Sequence, residues 1–383
     1  MVKDTKLNYT LNVAARWFVG LVFLFSSFVK GVDPMGTTFK VQEYMTAWSI
    51  GGLTFEWALP FAGFLSVSLI CAEFLVGVLL ITNAYRRLSA WLLAAMMLFF
   101  TVTTFADALT NKVTDCGCFG DAVKLTNWQT FWKNVVLDVP TVWIVLTRNL
   151  CRKRRFERDG LVLIGAVAAM LIFAMYNIKH EPIVDFRPWK VGNKMIEERE
   201  AMNHLYLRNL ETGEETTVDY RNGDWASVPE EYKDFERWEI VSSTSDDPFE
   251  IKAPGFSMMD LTSEDHAAEL LPAEDGLFIV TVHHLEDVDE AGARQVRMAL
   301  RLAEENGVRI VLLTSALPEE IQAWLYEQEI SGLDYLFADA TAIETMMRGN
   351  PGFMFVQDAT VVSKGRKADV VMEQGMKGLE VKE

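Results

Sequence analysis

Apolar and polar positions divide the chain into two parts. Up to residue 176 long apolar runs recur: residues 14–29 (AARWFVGLVFLFSSFV), 57–81, 88–105, 131–146 and 161–176. Each is near the ~20 residues that cross a bilayer, so five membrane-spanning helices are expected. The first run also resembles the apolar core of a secretory signal. No small-x-small cleavage site follows it and the run is long, so it reads as a retained helix. Between the first two runs, Phe39, Val41, Tyr44, Met45 and Trp48 predict a short amphipathic helix at the interface.

After residue 176 the pattern changes to short alternating strands and amphipathic helices. Residues 205–207 and 216–218 flank a turn at 211–214, a hairpin in a small β-rich stretch. From 246 onward the order is a buried strand at 276–283, a helix at 289–306 with Val296, Ala299, Leu300 and Ala303 on one face, and a strand at 308–314. A helix at 318–328, a strand at 335–337, a helix at 340–347 and a hairpin of 353–356 with 360–363 complete it. Strands alternating with helices predict an α/β domain. The expected organisation is a membrane domain at 1–150, a basic loop and fifth transmembrane helix at 151–180, a β-rich linker unit at 181–245 and an α/β domain at 246–383.

Charge sharpens this division. The net charge is −17, yet residues 1–176 carry 16 Lys and Arg against 11 Asp and Glu, whereas residues 177–383 carry 20 against 42. An acidic soluble half argues against nucleic acid as a partner. Arg86 and Arg87 lie between the second and third runs. Arg148, Arg152, Lys153, Arg154 and Arg155 lie between the fourth and fifth. By the positive-inside rule both loops are cytoplasmic, and everything after residue 177 faces out. A bacterial inner membrane with a periplasmic C-terminal domain is the expected setting.

The candidate chemistry sits between the third and fourth runs, at Asp115-Cys116-Gly117-Cys118-Phe119-Gly120-Asp121. Cysteines at i and i+2 form a disulfide only if the chain folds back, which Gly117 and Gly120 permit. Such a small ring is strained, and strained, exposed disulfides are the labile or catalytic kind. The same pair is also half of a soft metal site, or inert packing. Of the other cysteines, Cys71 reads as buried filler and Cys151 as a reduced thiol in the basic loop; the soluble half has none. Glu73 and Asp138 fall inside apolar runs. Carboxyls at membrane depth face the bundle interior or a polar cavity, either as hydrogen-bonded packing groups or as a proton relay or quinone partner.

Several of these residues carry a resemblance. Lys30-Gly31-Val32-Asp33-Pro34, Glu73, Arg86-Arg87, the Asp115–Gly120 loop and Trp132-Lys133-Asn134 resemble the MauE/DoxX family of membrane proteins over roughly residues 14–147. That resemblance implies a four-helix core and a role in disulfide handling or in sulfur- or quinone-linked redox chemistry. It implies a thiol redox role for Cys116 and Cys118; with the intramembrane carboxyls added, the candidate catalytic residues are Cys116, Cys118 and Glu73, supported by Lys30, Asp33, Asp115, Gly117, Phe119, Gly120 and Asp138. The C-terminal stretch resembles thioredoxin-like domains of the membrane-tethered TlpA kind, through Ala253-Pro254-Gly255-Phe256 and Gly349-Asn350-Pro351-Gly352-Phe353. It makes Pro351 a candidate cis proline bordering the site. The Cys-x-x-Cys of that fold is missing; His283-His284-Leu285-Glu286-Asp287 stands in its place. A metal at His283, His284 and Glu286 lacks a further ligand nearby, so none is expected.

Two functions follow as expectations. One is a membrane thiol–disulfide oxidoreductase or maturation factor, with a quinone as the candidate cofactor and a periplasmic client or thioredoxin-like carrier as partner. The other is a non-catalytic membrane scaffold whose degenerate thioredoxin-like domain binds a partner protein.

Overall fold

The computed structural model describes residues 5–50, 53–113, 117–149, 156–198, 202–221, 224–245, 249–253 and 255–380. It divides into two compact units, Met1–Arg187 and Pro188–Glu383.

The first unit is helical. Helix α1 (Lys6–Val32) starts where the Thr5 hydroxyl accepts from the Asn8 N–H. It stops at Asp33-Pro34, because proline lacks the N–H that a continuing helix needs. The Asp33 carboxylate then accepts from the Gly36 N–H and caps α2 (Pro34–Ala47), with Pro34 at its first turn. A two-residue ladder pairs β1 (Ser49–Ile50) with β2 (Leu53–Thr54). Helices α3 (Ala62–Thr82), α4 (Arg86–Thr110), α5 (Asn127–Leu146) and α6 (Phe156–Lys179) follow.

Polar contacts at the two ends show that the long helices alternate in direction. At one end, Asn12 of α1 donates to Thr147 after α5 (2.6 Å), and the buried Arg16 donates to the carbonyls of Leu79 and Leu80 at the end of α3. Arg148 stacks on Trp91 of α4, and the Tyr85 N–H reaches Asp159 of α6. At the other end, Asn177 of α6 donates to the Gly31 carbonyl, and Asn127 of α5 donates to the Val113 carbonyl and the Asn111 side chain. One apolar core joins Val19 and Phe23 of α1, Val76 and Leu80 of α3, Leu93 and Met97 of α4, and Leu137 and Ile144 of α5.

Four helical segments among the described residues are long and apolar enough to cross a membrane: Lys6–Val32, Glu56–Thr82, Arg86–Thr110 and Arg158–Lys179. The sequence also predicts a crossing at 131–146, where α5 lies, but α5 falls outside that set. Lys133, Asn134 and Asp138 lower its mean hydropathy. Two of these polar groups are turned inward, where Asn134 donates to Thr104 and Asp138 accepts from Thr101. The outward stripe of α5 is apolar: Trp132, Val136, Val139, Val142 and Leu146 are all exposed. Twenty residues span about 30 Å, and α5 runs from one end of the bundle to the other beside α4. An apolar outside over a polar inside suits a helix whose solvent is lipid.

The second unit is mixed α/β. Strand β3 (Ile196–Glu198) pairs antiparallel with β7 (Phe249–Ile251). Between them lies a three-stranded antiparallel sheet of β4 (Met202–Asn209), β5 (Glu215–Arg221) and β6 (Trp238–Ser245), in the order β5-β4-β6. It has a small core of its own at Leu205, Leu207, Val218 and Val228. The hairpin expected around 211–214 is β4 and β5; β6 is an addition to that expectation.

The main sheet contains β8 (Leu277–Val282), β9 (Arg309–Thr314), β10 (Tyr335–Phe337), β11 (Gly352–Gln357) and β12 (Thr360–Gly365), in the order β10-β9-β8-β11-β12. Strands β8, β9 and β10 are parallel; β11 and β12 are antiparallel to their neighbours. This is the strand order of a thioredoxin-like fold, and the Asn350–Pro351 peptide is cis, as the resemblance implied. Both faces are covered, so β8 is buried at every residue. Phe278, Val280 and Val282 pack with α8 (Glu290–Asn306), α9 (Pro318–Glu327) and α11 (Ala368–Glu380), while Leu277 and Ile279 pack with the short α7 (Ala267–Leu270) and with α10 (Ala340–Met346). Trp189, Met195 and Ile196 belong to that second core, so the packing of this unit begins well before residue 246.

Candidate functional site

The expected site residues separate on the structure. Lys30 and Glu73 come together in the helical unit. Lys30 Nζ lies 2.5 Å from Glu73 Oε1, with both side chains almost wholly buried. The ammonium also sits 5.6 Å from the centre of the Phe100 ring. A charge placed among apolar helices is costly unless it is paired, and this pair explains why the core of the bundle tolerates both.

The Cys118 loop lies over the pair. The Ser26 hydroxyl, one turn before Lys30 on α1, is 2.9 Å from Glu73 Oε2 and 2.8 Å from the Cys118 carbonyl oxygen. A hydroxyl has one proton to give. Carboxylate and carbonyl are both acceptors, so the one proton lies between them, and Ser26 joins the buried carboxyl to the loop backbone.

Local geometry holds the loop. Gly117 has φ +62°, a left-handed conformation that costs an L side chain, and a Cβ there would stand 3.1 Å from Lys40 Cγ. The Gly120 N–H then donates to the Gly117 carbonyl (3.0 Å), closing the turn. Phe119 packs on Phe25 of α1, 5.4 Å between ring centres, and carries Lys133 Nζ of α5 at 4.5 Å from its own. Beneath the loop is a cavity of about 30 Å³; its polar wall is Ser26, Lys30, Glu73, Cys118, Lys133 and Asn134. It has room for a couple of water molecules, far below the ~300–1,000 Å³ of small-molecule pockets.

The other expected residues stand elsewhere. Asp33 is a helix cap, 3.0 Å from the Gly36 N–H. Asp138 is on Thr101. Pro351 is in the second unit. Asp115 and Cys116 lie outside the described residues, as do Cys151 and the 152–155 cluster. Cys71 packs with Ile70 and Met170, the buried filler expected of it. Ser26 and Lys133 were not assigned a role from sequence. A serine in an apolar run carries no signal by itself; the clue was its place one turn before Lys30, on the stripe of Val19 and Phe23. Lys133 stood in the Trp-Lys-Asn motif without a partner to point at.

In the second unit, His283 and His284 occupy the end of β8, where the fold would carry its cysteines. The Asn350 side chain closes on both: its Oδ1 accepts from the His283 N–H (3.2 Å) and its Nδ2 donates to the His284 carbonyl (2.7 Å). The His283 ring is buried, and burial, helped by His284, pushes its pKa down to about 4. His284 is half exposed and lies 3.9 Å from Glu286 and 4.0 Å from Glu344. Among the described residues only Asp260, Glu264 and His266 stand close enough to share a metal ion. They lie on the surface, and Asp260 already accepts from the backbone of Thr262 and Glu264 and from the Thr262 hydroxyl.

Residues 8–147 match the family model described as methylamine utilisation protein MauE. The match starts inside α1 and ends as α5 ends, so it contains Ser26, Lys30, Glu73, Cys118 and Lys133 and leaves α6 outside. No curated protein matches the chain. Two solved structures are similar in part. One is the thioredoxin domain of a thiol-disulfide oxidoreductase from Bacteroides vulgatus, at 12% identity, over 33% of this chain and 94% of that one, with a TM-score of 0.27. The other is a thioredoxin-like protein from Bacteroides caccae, at 10% identity, over 81% and 84%, with a TM-score of 0.22. Neither likeness bears on the site; the strand order carries the fold of the second unit by itself. A MauE match over membrane-length helices marks a membrane protein, and joined to a thioredoxin-like unit it points to a redox-related role there.

Proposed function

We propose that the helical unit is a thiol–disulfide redox factor that acts through Cys116 and Cys118 on proteins of the outer compartment. The observation that carries this reading is the link from the Cys118 backbone through Ser26 to the buried Glu73–Lys30 pair. Exchange of a disulfide moves protons as well as electrons, and a carboxyl–ammonium pair behind the loop is a place to hold one.

A client thiolate attacks the sulfur of Cys116 in the Cys116–Cys118 disulfide. The client–Cys116 bond forms, the Cys116–Cys118 bond breaks, and the electron pair leaves on Cys118. A second client thiolate then attacks its own mixed disulfide. The client ends with a disulfide and the pair ends as two thiols once protons are taken up. An acceptor must remove two electrons and two protons to restore the pair. A quinone, becoming the quinol, is the acceptor class this reading takes. The cavity is too small for its ring, so it would meet the loop from the lipid or the outer side.

Orientation supports the compartment. Arg86, Arg87 and Arg148 belong to the end of the bundle opposite the Cys118 loop, and positive charge favours the cytoplasmic side. An inner membrane with the loop and residues 188–383 in the periplasm is the setting this gives. The second unit, without cysteines, serves in this reading as a binding module for a client or a thioredoxin-like carrier.

The test is a set of serine variants. Cys116→Ser and Cys118→Ser should each abolish client oxidation as fully as the double variant, because residues acting as a unit are non-additive. One single variant should trap a mixed disulfide with its client. A double variant that oxidises client normally would leave the scaffold reading, in which the bundle anchors a binding module and does no chemistry.

A further inference from the structure

We infer that Lys133 is the cation that holds Cys118 as a thiolate. This rests on the thiol reading above and adds a residue to it.

The cavity wall beneath the loop carries three ionisable groups besides the cysteine: Lys30 from α1, Glu73 from α3 and Lys133 from α5. Lys40 of α2 approaches the loop at Gly117, and Asp121 belongs to the turn that closes the loop. The charges of Lys30 and Glu73 cancel each other across 2.5 Å. Lys133 forms no ion pair among the described residues. Its ammonium rests instead on the Phe119 ring, 4.5 Å from the centre.

The difference between those two environments decides the assignment. A carboxylate partner neutralises an ammonium. An aromatic face attracts it through the ring quadrupole and leaves the whole positive charge in place. Phe119 thus fixes Lys133 without discharging it, and Phe119 is the residue next to Cys118. The ring is itself held by Phe25. The net charge of the cavity wall is therefore carried by a cation clamped to the cysteine's neighbour. A thiolate beside a lysine is stabilised relative to its thiol; the proton it gives up goes to outer water. The same stabilisation makes Cys118 the better leaving group when the pair's disulfide opens.

The test uses the full chain in membranes or detergent, with Cys71→Ser, Cys116→Ser and Cys151→Ser, so that Cys118 is the one thiol. The rate of alkylation by iodoacetamide is measured from pH 5 to 10. The midpoint should lie below the ~8.5 of a free cysteine. Lys133→Met should raise it by about one pH unit, about tenfold slower alkylation at pH 7. Lys133→Arg, which keeps the charge and stacks on the ring, should restore it. An unchanged midpoint in Lys133→Met overturns the assignment. If Lys133→Met does not insert, Phe119→Leu serves: it removes the clamp but not the lysine, a smaller upward shift is expected, and no shift overturns the assignment. The titration needs neither client nor acceptor. A normal Cys116→Ser/Cys118→Ser strain would sink the redox function while leaving this result standing, and an unshifted midpoint would do the reverse.

Discussion

Removing one partner of the Lys30–Glu73 pair should cost far more than removing both. The ammonium and carboxylate are 2.5 Å apart, with side-chain exposures of 8% and 2%. At an effective dielectric of about 20, charges at that separation attract by roughly 6–7 kcal/mol, and desolvation of the two groups opposes most of it. Glu73→Leu takes the carboxylate away from a buried ammonium, and also removes an oxygen that Ser26 touches. Lys30→Met leaves the carboxylate. Each single variant should lose about 3–5 kcal/mol. The double variant Lys30→Met/Glu73→Leu replaces the pair with side chains of similar volume and should be near neutral or more stable. Thermal unfolding of the four proteins in one detergent, followed by near-ultraviolet circular dichroism, gives the cycle. Client oxidation then separates folding from chemistry: the double variant should be folded and inactive. Single variants within about 1 kcal/mol of the parent, or a double variant as unstable as the sum of the two, would refute the buried pair. A stable double variant that oxidises client normally would refute its role as a proton store.

Three further outcomes are expected. Burial holds the His283 pKa at about 4 against an ordinary value of 6.5; the unfolded chain therefore binds the proton first, and stability should fall by roughly 3 kcal/mol as pH drops from about 6.5 to 4. Urea unfolding of residues 188–383 at a series of pH values checks this, and an identical pH slope in His283→Phe would contradict it. Gly117→Val should weaken the loop by about 1 kcal/mol or more, since the left-handed φ and the approach of Lys40 both oppose a branched side chain; it should slow client oxidation, and unchanged rates would show that the loop does not need this turn. A periplasm-dependent reporter fused after Glu383 should be active, and one fused between Asn83 and Arg86 inactive; the opposite pattern would invert the topology.

Most of the architecture was legible because it rests on local pattern. Long apolar runs marked the helices, and alternation of strand and helix marked the second unit down to its closing hairpin. Helix α5 was legible too, as the apolar run at 131–146 with Asp138 expected to face inward; packing on α4 supplies the partner, Thr101. Where sequence reasoning fell short, tertiary packing is the reason. Helix α11 was missed because Gly375 and Gly378 weaken its propensity; Gly375 is there since a Cβ would meet the Phe355 ring at 2.3 Å. At the candidate site, Lys30 and Glu73 stood out singly, as a motif lysine and as a carboxyl in an apolar run. Their pairing lies between two helices 43 residues apart, which spacing alone does not reveal. Ser26 and Lys133 meet a loop distant in sequence; the local clue to Ser26 is its place on the stripe of Lys30, and Lys133 has none.

In the proposed function Cys116 and Cys118 cycle between dithiol and disulfide at the outer face of a membrane bundle. Thiol trapping tests it directly: cells are quenched in acid, free thiols are alkylated with a mass tag, and the pair is read in Cys71→Ser/Cys151→Ser protein by gel shift. Both forms should be present, and the disulfide fraction should rise when client is withheld and fall when the electron acceptor is depleted. A pair that stays fully reduced or fully oxidised under all three conditions would contradict it.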